Sequence, residues 1–111
     1  MKKLLILFVL IVAPLISAKA DPAKKVNLSY QNGKLKIDIL HRVKDVKTHY
    51  IDQIIINVDG KDVKTISLKT QSSQESENLE LPVPEIKSGS KVVVKTRCNE
   101  FGLKSGKLMV E

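Results

Sequence analysis

Two histidines and one cysteine, His41, His49 and Cys98, are the side chains of this 111-residue sequence best suited to chemistry. Imidazole and thiolate are both good ligands for iron, copper and zinc. Hydrolytic chemistry lacks its residues, since there is no G-x-S-x-G elbow, no glycine-rich phosphate loop and no H-E-x-x-H pair. One cysteine cannot close an internal disulfide. Cys98 is therefore a free buried thiol, a link to another chain, or a metal ligand.

Those three residues fall at strand ends. Polarity alternates with period two through most of residues 26–110, the mark of half-buried strands. Val26, Leu28 and Tyr30 alternate with polar residues, and Asn32-Gly33 then marks a hairpin, because both residues accept positive φ. Leu35, Ile37, Ile39 and His41 share the next inward face, so His41 ends an apolar stripe. After a looser stretch over 42–48, His49 opens a strand over 50–58. That strand is apolar on both faces around Ile54, Ile55 and Ile56, which predicts a central place in its sheet. Asp59-Gly60 turns the chain into a strand at 63–68, and the polar run 70–78 reads as a long loop. Leu79, Leu81 and Val83 alternate, with Pro82 and Pro84 marking an edge or strand end. Val92, Val94, Thr96 and Cys98 share a face, so the cysteine also ends an inward stripe. Residues 99–106 read as a glycine-containing loop and 108–110 as a short last strand.

Seven strands spaced by roughly ten residues, with no helical pattern beyond the first segment, predict an all-β fold: an immunoglobulin-like antiparallel β-sandwich. A small closed barrel is the alternative. Strand ends beside loops are where a rigid sandwich offers ligands to solvent.

The first segment has its own signature. Lys2 and Lys3 precede a thirteen-residue run over 4–16, apolar except for Pro14, and Ser17-Ala18-Lys19-Ala20 supplies small residues for signal peptidase. As a helix that run spans about 20 Å, short of the ~30 Å hydrocarbon core. Residues 1–20 are expected to be a cleaved secretory leader. Residues 21–111 are then one mature domain, periplasmic and not membrane-anchored, with no cysteine at the cut to carry a lipid. Losing Lys2, Lys3 and Lys19 leaves 16 basic against 12 acidic residues, a net charge of +4 rather than +7. The lysines are scattered singly, and only four aromatics occur in the precursor. This is unlike a nucleic-acid module, which clusters basic residues beside stacking rings. The lysines read instead as solvated faces and guards on strand edges.

The stretch 41–102 resembles the iron-binding domain of the desulfoferrodoxin and superoxide reductase family. That family's pattern is a histidine, a short loop, H-Y-I-x-x-I and a later C-N-x-H-G. Here His41 is followed by His49-Tyr50-Ile51-Asp52-Gln53-Ile54, and later by Cys98-Asn99-Glu100-Phe101-Gly102. The resemblance implies an immunoglobulin-like fold and ferrous iron held by four planar histidines and an axial cysteine thiolate. The open sixth position takes superoxide, which one electron from the iron reduces to peroxide. By this resemblance His41 and His49 match two planar ligands and Cys98 the axial one. The family's last histidine is Phe101 here, its early one has no counterpart over 21–31, and the loop between His41 and His49 differs slightly in length.

Water, Glu100 or Asp45 would have to complete a metal site, or Phe101 would fill it and leave it dry. Two histidines and a thiolate also suit copper, but Cys98 lacks the closely following histidine of copper electron-transfer sites. Iron is therefore preferred to copper or zinc. The expected function is a degenerate, exported member of this family, superoxide reductase-like if iron is bound, with an electron donor or protein partner of unspecified identity and self-association left open. The alternative is a non-catalytic binding or structural module that has lost its metal. A further resemblance, to sandwich carriers of periplasmic sulfur oxidation, lacks their carrier-cysteine tail, since the sequence ends Lys107-Leu108-Met109-Val110-Glu111. The leader reading has a direct check. The intact mass of the exported protein should correspond to a chain beginning at Asp21, and retention of residues 1–20 in a membrane fraction would refute the cleavage.

Overall fold

The computed structural model describes residues 21–111, so the leader expected at 1–20 lies outside the described residues. Seven strands follow one another: β1 (Lys25–Gln31), β2 (Lys34–Leu40), β3 (Ile51–Val58), β4 (Lys61–Ser67), β5 (Ser76–Pro82), β6 (Lys91–Cys98) and β7 (Gly102–Met109). They form two antiparallel sheets, one in the order β1-β2-β5 and the other β4-β3-β6-β7. The predicted all-β sandwich is therefore observed, with β3 inside its sheet as its two-sided apolar pattern requires. No helix occurs among the described residues.

The turns follow from their residues. Asn32-Gly33 and Asp59-Gly60 all take positive φ, between 51° and 91°. That is the geometry of a type I′ hairpin, whose twist matches that of its strands. Alternation then decides what is inside. Leu35, Ile37 and Ile39 of β2 are fully buried, and so are Ile54 and Ile56 of β3 and Val92 and Val94 of β6. These side chains interleave between the sheets as the core. The edge strand β4 buries none of its residues and carries Lys61 and Lys64, which discourage pairing with another chain.

Two stretches expected to be loops contain strand. Within the polar run 70–78, β5 begins at Ser76 and pairs Glu77 with Ile39 and Asn78 with Asp38. Glu77 can be buried there because its carboxylate accepts bonds from the Ser72 amide (2.9 Å) and hydroxyl (2.6 Å). The supposed loop 99–106 contains most of β7, which starts at Gly102. Its two glycines, Gly102 and Gly106, are there for close approach. A Cβ on Gly106 would run into the Val26 carbonyl and lie 2.8 Å from Val26 Cγ1, where β1 crosses β7. One on Gly102 would collide with the backbone of Asp21 and Pro22. The chain entering β1 thus lies directly on the inner face of β7, which brings residue 21 into the domain.

The register has a quantitative consequence. Ile37 has no exposed surface, whereas its neighbour Lys36 is exposed. Ile37→Ala should therefore destabilise the fold by about 2–4 kcal/mol through lost burial and a residual cavity. Lys36→Ala should change it by less than about 0.5 kcal/mol. Equal effects in urea melts would contradict this register.

Candidate metal centre

His41 follows β2, His49 precedes β3 and Cys98 ends β6. Their convergence depends on a break in alternation. If β3 alternated strictly back from Ile54, it would bury Asp52 and turn Ile51 and His49 outward. A β-bulge prevents this: Ile51 pairs with Cys98 and Gln53 with Arg97, so β3 carries one residue more than β6. Ile51 is consequently fully buried beside Ile54. Arg97 holds the bulge from outside by a two-pronged ion pair with Asp52 (2.8 and 3.2 Å), which raises the guanidinium pKa further.

The loops are held just as specifically. Asp45 builds the turn before β3: its carbonyl accepts the His49 amide (3.0 Å) and its carboxylate the Lys47 amide (2.9 Å), an Asx-turn. Asn99 clamps that turn to the tip of the β6–β7 hairpin. Its side chain accepts from the Tyr50 amide (3.0 Å) and donates to the Thr48 carbonyl (3.0 Å), so both neighbours of His49 are tied to the residue after Cys98. The hairpin tip spans three residues, 99–101, and the third, Phe101, takes the left-handed conformation (φ 67°) that such loops require. This aims the Glu100 amide at Cys98 Sγ, 3.3 Å away.

The result is a compact donor cluster. One donor atom from each of Asp21, His41, His49 and Cys98 lies within 4.8 Å of all the others. His49 Nε2 is 2.8 Å from Asp21 Oδ2, and His41 Nε2 is 3.7 Å from the same oxygen and 3.1 Å from the Asp21 carbonyl. The two rings meet edge to face with centroids 5.0 Å apart. His41 and Cys98 are buried, while Asp21 is half exposed. His49 borders an open cleft of about 750 Å³ that is also lined by Arg42, Asp45, Glu75 and Glu100. Behind the cluster, the Gln71 amide contacts His41 Nδ1 (2.7 Å), the His41 carbonyl (2.7 Å) and the Ile51 amide (3.3 Å).

Of the residues singled out from sequence, the fold thus brings His41, His49 and Cys98 together. Glu100 stands at the rim, its carboxylate 3.8 Å from His49 Nε2. Asp45 is a turn-builder outside the cluster. Phe101 does not fill the site, because its left-handed backbone turns it outward and leaves it 81% exposed. Sequence reasoning missed two residues. Asp21 precedes the first strand, where no periodicity marks an inward side chain; its signal was an acidic residue where the family resemblance expects an early histidine. Gln71 lay in a run read as solvated loop and carried no signal.

The donor set fits a cation. Metal–ligand bonds of about 2.0–2.3 Å place donors no more than about 4.6 Å apart, so the cluster closes on one ion with small side-chain movements. A thiolate, a carboxylate and two neutral imidazoles sum to the charge that balances a divalent ion, and buried charge needs such a partner. His49 Nε2 is buried and, with Asp21 Oδ2 2.8 Å away but out of line, has no hydrogen-bond partner of good geometry among the described residues. Without a cation, Cys98 keeps its proton. Burial pushes its pKa up, the Glu100 amide opposes that, and the carboxylates of Asp21, Glu100 and Asp52 reinforce it.

No family model matches the sequence, and no curated protein matches it. Among solved structures, the fold is similar to that of a superoxide reductase from Nanoarchaeum equitans, with 13% sequence identity. The alignment covers 83% of this chain and 100% of that one, at a TM-score of 0.45. The chemistry of the cluster rests on this chain's own residues.

Only the thiolate is nucleophilic. In metal-free protein, iodoacetamide at neutral pH should therefore modify Cys98 at least about tenfold more slowly than in urea, and the rate should rise as pH climbs past the ordinary thiol range. Equal rates in the folded and unfolded chain would show that Cys98 is neither buried nor held protonated.

Proposed function

We propose that this protein is an exported, desulfoferrodoxin-like metal-binding protein that holds one iron ion through Asp21, His41, His49 and Cys98. With that ion it acts as a superoxide reductase-like oxidoreductase. The observation that carries the reading is the convergence of two imidazoles, a thiol and a carboxylate within 4.8 Å, one nitrogen of them buried without a well-directed hydrogen bond among the described residues. The family resemblance of the H-Y-I-x-x-I and C-N segments supports iron. Two histidines in the whole sequence cannot supply the family's four. Asp21 adds an oxygen donor where the resemblance has an imidazole, a harder donor that shifts the preferred metal and its potential.

Bound iron supplies a one-electron couple. The protein's residues divide the remaining tasks. Cys98 gives up its proton to bind, so loading releases a proton and weakens as pH falls. The Glu100 amide, 3.3 Å from the sulfur, stabilises the resulting negative charge. His41, with its side chain 1% exposed, keeps bulk water from one side of the site. His49, at 19%, borders the side open to the cleft, through which a small anion such as superoxide reaches the cluster.

Anaerobic titration with ferrous iron should give one bound ion per chain, and the oxidised form should show a visible sulfur-to-iron absorption band. Cys98→Ser should abolish that band, while Asp21→Ala and His49→Ala should each weaken binding by about 10-fold or more. Iron-loaded protein should consume superoxide faster than metal-free protein. A chain that binds no stoichiometric metal would leave the metal-free binding module as the function. A chain that binds iron yet leaves superoxide untouched would keep the metal site and remove the activity.

A further inference from the structure

We infer that Gln71 is the positioning residue of the cluster: it fixes His41 in the tautomer that carries hydrogen on Nδ1 and so presents the bare Nε2 to a metal. This rests on the metal-binding reading given above. The inference follows from the orientation of one buried amide. Gln71 is 3% exposed, and its nitrogen donates to two carbonyls, those of His41 (2.7 Å) and Ser73 (2.9 Å). Exchanging the amide's oxygen and nitrogen would set an oxygen against both carbonyls and a donor against the Ile51 amide. The orientation is therefore unambiguous, and Oε1 is the atom 2.7 Å from His41 Nδ1. An oxygen acceptor at that distance requires hydrogen on Nδ1.

In neutral imidazole the other nitrogen is then a lone pair. His41 Nε2 faces the Asp21 carbonyl at 3.1 Å and the Asp21 carboxylate at 3.7 Å, both of them acceptors. Acceptor set against acceptor in a buried place is unfavourable unless a cation, either a proton or a metal ion, lies between them. Gln71 thus builds into the metal-free protein an electrostatic demand that an ion answers, in the way that partners of ligating histidines generally fix the tautomer. The same amide also ties the residue after β2 to the first residue of β3, so the two histidine-bearing segments share one anchor.

Two variants and one spectrum test this. Long-range proton–nitrogen correlation spectra of metal-free, histidine-labelled protein, recorded at alkaline pH where imidazole is neutral, should show His41 protonated at Nδ1 and bare at Nε2. Gln71→Met keeps the length but removes the acceptor, so His41 should shift toward the other tautomer, and cobalt(II) affinity should fall about 10–100-fold. Gln71→Glu keeps an acceptor for Nδ1 but loses both bonds to carbonyls. It should lower thermal stability while keeping the tautomer and holding cobalt affinity per folded molecule within about threefold of the native protein. Merely structural glue would instead lower affinity in proportion to stability in both variants. Neutral His41 with its hydrogen on Nε2 in the native protein, or unchanged cobalt affinity in Gln71→Met, would overturn the inference. The tautomer is read without metal, so a protein that shows it but binds no ion would retain Gln71's role and lose only the metal-binding reading.

Discussion

A regular β-strand turns only alternate residues toward the facing sheet, yet β3 must turn both Ile51 and Ile54, three positions apart, to the core. The bulge opposite Arg97 reconciles the two, and the rest of the site depends on it. It lets one strand serve the core through Ile54, Ile56 and Val58 while its leading end turns the other face inward, with His49 just before it. The exposed part of the bulge is polar, and the Arg97–Asp52 pair sits where an apolar residue would gain nothing. An exposed ion pair contributes little to stability. Its two-pronged geometry matters more as a specification of register.

Once the register is set, the loops become rigid by connection to one another rather than by burial in the core. Asn99 ties the hairpin tip to the turn that Asp45 builds. Gln71 joins the ends of β2 and β3. Gly102, by lacking a side chain, leaves room for Asp21 and Pro22 to lie against β7. Each device contributes only two to four hydrogen bonds, or the space of one methyl group. Together they hold four donors drawn from four separated parts of the chain. The site is thus polar at its supports and apolar beneath.

What was legible in the sequence follows the same division. Period-two alternation and the Asn-Gly and Asp-Gly turns disclosed the sandwich, the central place of β3, and the inward aim of His41 and Cys98, because burial on one face imposes a pattern. Strands that owe their conformation to neighbours were not legible. β7 holds two glycines because β1 crosses it, and the start of β5 is polar because Ser72 neutralises Glu77's demand for partners. Phe101 was misjudged because its side chain follows its backbone: the three-residue turn needs a left-handed residue third, whatever that residue is. Asp21 and Gln71 act through tertiary contacts alone, and a contact between residues 30 apart leaves no local trace.

The four donors have one more property in common: each comes from a different stretch of chain, and Asp21 and Cys98 stand near opposite ends of the described domain. No short segment assembles the set by itself. In the order of folding, the cluster is consequently a late product, complete only when the last hairpin has docked and the first residues have settled over it. On this geometry the proposed ion would not be the nucleus around which the chain condenses, as it is in small metal-templated domains. Mispaired strands leave the donors scattered and unable to chelate. Metal acquisition in such an architecture would report that every strand has found its neighbour, and the proposed ion would be admitted by a finished protein rather than recruited to build one.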